Sequence, residues 1–346
     1  MKFDLNRLVR ENVRELKPYS SARDEYISDG SKMVFIDANE SPYSNGINRY
    51  PDPQQRQLKT LLAKTFSLSP ANILLGNGSD EVLDLIFRAF CEPHKDNIIT
   101  MPPTYGMYKV LAGINAIENR EVLLTASFEL DVDKILESKN SNTKVIFLCS
   151  PNNPTGNSFS GIHIEYLLNN FQGLIVIDEA YIDFATKSSW LNRFDQFPNL
   201  IVTRTFSKAY GMAGLRLGVC YASEDIITIL NRIKPPYNVN ELTQRKALQM
   251  IQNTALLEEQ ITEILAERDR MVRQLAEINY INKIYPTDAN FILVKVDDAD
   301  KRYKEILESG VVVRNRSTQP LCDNTLRFTI GTPKENETLL KILNSL

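Results

Sequence analysis

Leu200-Ile201-Val202-Thr203-Arg204-Thr205-Phe206-Ser207-Lys208-Ala209-Tyr210-Gly211-Met212-Ala213-Gly214-Leu215-Arg216-Leu217-Gly218 runs from an apolar segment into a polar, glycine-rich turn and back into apolar sequence. Leu200–Thr203 reads as a buried strand. Most lysines are solvated surface charges. Lys208, however, falls just past a strand's carboxyl end, the edge at which open α/β sheets bind ligands. The glycines allow close backbone approach to a ligand, and Arg216 offers a planar guanidinium fork suited to phosphate.

Working outward, the same strand-then-polar-turn pattern recurs. Leu217–Tyr221 returns as a strand. Upstream, Leu174–Ile177 is a buried strand followed by Asp178-Glu179-Ala180-Tyr181, where the aspartate could be a loop cap. Lys144–Cys149 runs into Ser150-Pro151-Asn152-Asn153-Pro154-Thr155-Gly156. Two prolines fix that backbone and aim the amide between them, although turn formers alone would also give this sequence. Asn97–Thr100 precedes Pro102-Pro103-Thr104-Tyr105-Gly106-Met107-Tyr108, so Tyr105 stands where it could stack on a flat ring or simply fill a loop. Ile73–Leu75 leads to Gly76-Asn77-Gly78-Ser79-Asp80-Glu81 and a helical pattern. A glycine turn that opens a helix presents free N–H groups to a phosphate. This one lacks the third glycine of a dinucleotide fingerprint and any P-loop lysine, and Ser79 with a nearby Glu could be a cap.

Beyond this core, Met33–Asp37 and Glu121–Leu124 read as further strands, and Asn48-Arg49-Tyr50-Pro51-Asp52-Pro53 as an extended, proline-braced segment. From Glu241 about forty residues are helical, and Phe291–Val294, Val311–Arg314 and Leu326–Gly331 read as strands of a compact C-terminal α+β unit. The 346 residues, 43% of them hydrophobic, suffice for a large and a small domain. We divide the chain into an N-terminal arm contributing to the small domain (1–42), a large domain (43–245), and an interdomain helix with a small domain (246–346).

A net charge of −3 argues against a nucleic-acid face, and the chain shows no membrane-length apolar run and no signal-peptide pattern at its start, so a cytoplasmic protein is expected. The four cysteines lack paired spacing and read as free thiols. Two histidines, His94 and His163, leave little support for a serine triad or a zinc site, and no metal is expected.

The ordered set Gly76–Asp80, Asn153-Pro154-Thr155-Gly156, Asp178-Glu179-Ala180-Tyr181 and Ser207-Lys208 through Arg216 resembles the fold-type I pyridoxal-phosphate enzymes. Tyr19, Asn39-Glu40, Arg49-Tyr50-Pro51, Pro103–Tyr108 and Val313-Arg314 narrow the resemblance to the histidinol-phosphate aminotransferase family over nearly the whole chain. It implies a large domain with a mostly parallel seven-stranded sheet between helices, and pyridoxal 5'-phosphate as cofactor. Lys208 would bind the cofactor aldehyde and act as base. Asp178 would face the ring nitrogen, because a protonated ring draws electrons from the substrate. Asn153 and Tyr181 would serve the ring oxygen, Tyr105 the ring face, and Gly78, Ser79, Asp80, Thr205, Ser207 and Arg216 the phosphate end. Tyr50 would reach the partner subunit's cofactor phosphate in a homodimer with shared sites. Tyr19, Asn39, Glu40, Tyr50, Asn153, Arg314 and Arg327 would contact substrate, with Arg316 on the same face as Arg314 and able to replace it.

The implied reaction is transamination of histidinol phosphate with 2-oxoglutarate, giving imidazole-acetol phosphate and glutamate in histidine biosynthesis. The alternatives are an aromatic-amino-acid aminotransferase or a threonine-phosphate decarboxylase of the same fold. From another class stands a non-catalytic cofactor-binding regulator, which would need an added partner-binding domain that this chain lacks.

Overall fold

In a computed structural model, which describes residues 3–19 and 33–346, the recurrent apolar segments become one sheet. β1 (Ile73–Gly76), β2 (Asn97–Thr100), β3 (Glu118–Glu121), β4 (Thr143–Cys149), β5 (Leu174–Asp178), β6 (Leu200–Thr205) and β7 (Gly218–Ala222) pair in the order β1-β7-β6-β5-β4-β2-β3. Only β7 runs antiparallel to its neighbours; the other pairings are parallel. Both faces are covered, which is why these strands read as continuous apolar runs rather than as alternating ones. Ile146, Leu148, Ile175, Ile177 and Val202 pack into one core and Val145, Phe147, Leu174, Val176 and Ile201 into the other.

The helices in chain order are α1 (Glu11–Glu15), α2 (Arg56–Phe66), α3 (Ser79–Phe90), α4 (Met107–Ile114), α5 (Val132–Ser138), α6 (Gly161–Asn170), α7 (Glu224–Ile233), α8 (Glu241–Gln252), α9 (Thr254–Leu275), α10 (Ala299–Glu308) and α11 (Pro333–Ser345). α3, α4 and α7 cover one face; α2, α5, α6 and α8 cover the other. No helix of the described residues is long and apolar enough to cross a membrane.

The second sheet is antiparallel, β10-β11-β9-β8, from β8 (Ile281–Ile284), β9 (Phe291–Val296), β10 (Arg314–Asn315) and β11 (Thr325–Thr329). Met271 and Leu275 of α9 and Leu340 and Leu343 of α11 pack on it. Thr332 and Glu335 form a capping box with Pro333 at the first helical position, which sets where α11 begins. The two units meet beside the carboxyl ends of β5 and β6. There Tyr181, Phe184 and Ala209 bury against Ala289 and Phe291, and Asp288 N donates to Gly156 O at 2.7 Å.

Three local expectations are corrected. Met33–Asp37 forms no strand, with Val34 and Ile36 84% and 90% exposed. A strand exists only where a second one completes its hydrogen bonds, and neither sheet includes this segment. The strand expected at Glu121–Leu124 lies earlier, at Glu118–Glu121, because its register against β2 ends at Thr100↔Glu121. It is a polar edge strand that apolar periodicity does not reveal. Of Val311–Arg314 only Arg314 enters a strand, paired with Arg327. The described start of the arm packs on the large domain, with Leu8, Val9 and Val13 buried beside α3 and α7. Residues 20–32 of the arm lie outside the described residues.

Candidate active site

The carboxyl ends of β1, β2, β4, β5 and β6 and the edge of the small sheet enclose a cavity of about 570 Å³. Lys208 enters it from the turn after β6. Its Nζ lies 5.7 Å from the centre of the Tyr181 ring, and burial, then the Arg327 charge, lower its pKa from the ordinary lysine value. An amine that loses its proton readily can act as nucleophile and base. Thr205 Oγ1 pairs with Ser207 Oγ at 3.0 Å and accepts from Ser207 N, which holds the turn that delivers Lys208.

Asp178 ends β5, is 3% exposed, and points into the same cavity. Burial pushes its carboxyl up to about 6. Tyr108 donates its hydroxyl to Asp178 Oδ2 at 2.9 Å and Ala180 N donates to Oδ1 at 3.1 Å, so the carboxylate is aimed by two donors. A cation brought beside a carboxylate buried in this way would favour its ionised form. Tyr108 was not singled out for a role from sequence. Its phenol is fully buried, stacked on Phe147 at 5.1 Å, and a tyrosine inside a helix carries no local sign of such a partner.

At the other end of the cavity, α3 begins at Gly78 with no side-chain cap, leaving its first N–H groups for a ligand. Gly78 has φ +87°, and a Cβ there would lie 2.6 Å from Arg216 Nη2. A Cβ on Gly218 would meet Ser79 N at 2.2 Å, so β7 can pass behind the turn only as glycine. Arg216 itself takes the left-handed conformation, φ +54°, and pairs with Asp80 Oδ2 at 3.6 Å. Asp80 Oδ1 accepts from the Tyr105 hydroxyl at 3.0 Å. Glu81 accepts from Asn77 N, while no side chain caps the start of the helix, so the Ser79 cap that the sequence allowed is not formed.

Asn153, 8% exposed, joins the two domains: its Nδ2 donates to the Tyr181 hydroxyl at 3.4 Å and its Oδ1 accepts from Arg327 Nη1. The β10–β11 register sets Arg314 opposite Arg327, and Arg314, Arg316, Arg327 and Gln319 line the small-domain wall. Among the described residues none of the three arginines has an acidic partner, and Arg316 Nε and Arg327 Nε are buried without a hydrogen-bond acceptor. Burial and the mutual repulsion of this group lower the pKa of Arg316 and of Arg327. A part-buried guanidinium without an acidic partner is costly, and an anion in this cavity would relieve that cost.

The class I and II aminotransferase model matches residues 29–343. The chain belongs to the class I and II aminotransferases. Among similar proteins, this aminotransferase is 61% identical to the histidinol-phosphate aminotransferase of Flavobacterium johnsoniae, over 99% of both chains. Its fold is similar to the histidinol-phosphate aminotransferase of Clostridium acetobutylicum, with TM-score 0.80 at 25% identity over 86% of this chain and 90% of that one. It is similar also to the Sinorhizobium meliloti histidinol-phosphate aminotransferase in complex with pyridoxal-5'-phosphate, with TM-score 0.79 at 23% identity over 86% and 82%.

Not every expected residue enters this aminotransferase's cavity. Tyr19 is 72% exposed. Asn39, Glu40 and Tyr50 line a separate hollow of about 440 Å³ with Asn240–Leu242. There Glu40 accepts from Tyr50 N at 2.6 Å and pairs with Arg49 at 2.7 Å, and Tyr50 stacks on Tyr237 at 4.5 Å.

Proposed function

We propose that this chain is a pyridoxal-phosphate-dependent aminotransferase that exchanges the amino group of histidinol phosphate with 2-oxoglutarate. The observation that carries the reading is the meeting, in one cavity, of Lys208, the buried Asp178 and three arginines without acidic partners. The similarity to histidinol-phosphate aminotransferases over the full chain supports the substrate choice. The residues fit the cofactor group by group. The Gly78 turn, whose space a Cβ would close, suits the phosphate with Ser79, Asp80 and Arg216; Asp178 suits a cationic ring nitrogen; Asn153 and Tyr181 suit a ring oxygen; Tyr105 suits the ring face. When bound, the cofactor supplies an aldehyde that accepts the amino group and a ring that draws electrons from the reacting carbon.

The side chains then divide the work. Lys208 Nζ is placed to hold the cofactor aldehyde and, as a free amine, would take up and return the proton of the amine-bearing carbon. Burial, then the Arg327 charge, lower its pKa, which favours the basic form. Asp178, fixed by Tyr108 and Ala180, would hold the ring nitrogen in its protonated form. Arg327 and Arg314, with Arg316 beside them, clamp the phosphate of one substrate and the carboxylates of the other.

We infer further that the enzyme acts as a homodimer with shared sites. Tyr50 lies outside its own cavity on an exposed segment with Tyr43 and Ile47, and this supports a role toward a second copy. We place the activity in the cytoplasm, a reading supported by four free, buried cysteines.

A spectrophotometric amino-transfer assay of the purified protein tests the substrate. Histidinol phosphate should give a kcat/KM well above that of phenylalanine or threonine phosphate; an equal or higher value for either would reassign the enzyme.

A further inference from the structure

The Gly76–Glu81 turn is held from behind by a residue that touches no part of the cavity. Asn238 donates through Nδ2 to Leu75 O at 3.0 Å and to Glu81 Oε2 at 2.9 Å. Its Oδ1 accepts from Lys234 Nζ at 3.2 Å and from Gln55 Nε2 at 3.4 Å. An asparagine amide offers two N–H donors and two lone pairs, so all four positions are used. The assignment has one sense only. Turned over, the amide would set Nδ2 against an ammonium and Oδ1 against a carbonyl and a carboxylate. The four partners come from β1, the first turn of α3, the residue before α2 and the residue after α7. Lys234 is 7% exposed and Gln55 fully buried, so the Oδ1 side of the amide is sheltered from water, where hydrogen bonds hold geometry best, while Asn238 and Glu81 are half-buried.

Glu81 completes the link, because the same Oε2 also accepts from Asn77 N. The pair Asn238–Glu81 therefore grips the turn at Leu75 on one side of Gly76 and at Asn77 on the other. With Asn77 N held by Glu81, the start of α3, which no side chain caps, is fixed where Ser79 and Asp80 line the cavity. We propose that Asn238 is a positioning residue for the phosphate end of the cofactor, acting through Glu81 and the Gly76–Gly78 backbone. This rests on the reading of that turn as the phosphate cradle.

The test compares equilibrium binding of pyridoxal phosphate and of pyridoxal, which lacks the phosphate, to cofactor-stripped wild type and Asn238→Ala. Loss of the tether should weaken pyridoxal phosphate binding roughly tenfold or more and leave pyridoxal binding within about twofold. Intact pyridoxal binding also reports that the variant is folded. Equal losses for both ligands would mean a merely structural role, and no loss for either would mean no role; both overturn the proposal. Should Asn238→Ala not fold, Glu81→Ala removes the other half of the grip and carries the same expectation. A wild type that binds the two ligands equally would instead sink the cradle reading itself, and this proposal with it.

Discussion

The two walls of the cavity are built on opposite electrostatic plans. On the large-domain wall the charges other than Lys208 are answered within the chain: Arg216 by Asp80, Asp80 by Tyr105, and Asp178 by Tyr108 and Ala180. On the small-domain wall Arg314, Arg316 and Arg327 converge with no acidic partner among the described residues. A balanced wall suits a group that stays, whereas an unbalanced one suits an anion that arrives and leaves. Asn153 touches both, through Tyr181 and Arg327, and so registers the two domains against each other.

The sharpest break of this contrast is at Lys208, on the large-domain wall. Lys208→Ala should lower turnover by roughly a thousandfold or more, because nucleophile and base are lost together. Borohydride should fix cofactor covalently to wild type and not to the variant; a variant with normal turnover would remove Lys208 from the chemistry. The small-domain wall should respond less. Arg327→Ala should cost about ten- to a hundredfold in kcat/KM for both half-reactions while cofactor absorbance survives, as expected for one charge-assisted contact. Arg314→Ala should hurt the phosphate substrate more than 2-oxoglutarate. Single-turnover rates of each half-reaction decide this, and unchanged rates for Arg327→Ala would place the anion elsewhere.

A third measurement asks whether either wall is complete in one chain. Mixing Lys208→Ala with Tyr50→Phe chains should create hybrid dimers in which one site carries neither lesion, raising activity above that of the separate variants. No rise after proven subunit exchange would leave Tyr50 to the hollow it lines with Glu40.

The smallest effect concerns the resting balance of Asp178. Its folded pKa, about 6, lies above the ordinary carboxyl value of 3.8, so the folded protein holds the proton more tightly than the unfolded chain. Stability of cofactor-free enzyme therefore falls as pH rises from about 4 to about 6, where ionising the buried group becomes obligatory. Cofactor-free Asp178→Asn should be more stable than wild type by about 1–3 kcal/mol above pH 6, with the gap closing below pH 4. Denaturant titrations across that range test it. A gap independent of pH would show that Tyr108 and Ala180 already offset the burial.

How much of this was legible in the chain follows from how local each feature is. The strand-then-turn units place Gly78, Asn153, Asp178 and Lys208 each at a strand's carboxyl end; β4, β5 and β6 pair in parallel and β1, antiparallel to β7, runs the same way, which brings these residues to one edge. Such residues can be read from sequence because a few neighbours fix their backbone. Tyr108 and Asn238 could not, since each acts through partners dozens of residues away that only packing supplies. The Met33–Asp37 segment failed for a related reason: its composition favours a strand, yet a strand is a property of two segments.

Composition and local pattern by themselves thus determined the α/β class and the placing of Gly78, Asn153, Asp178 and Lys208 just at or past strand ends, because short-range sterics dictate them; the roles expected of those residues came from the family resemblance. Tertiary structure alone decided that three arginines face one cavity, since this depends on the β10–β11 register and on where the small sheet docks. It also decided that Glu40 and Tyr50 stand apart from that cavity and that Asp178 is aimed by a buried phenol. Burial turns these charges and hydrogen bonds into function, and burial is settled only when distant segments close over one another.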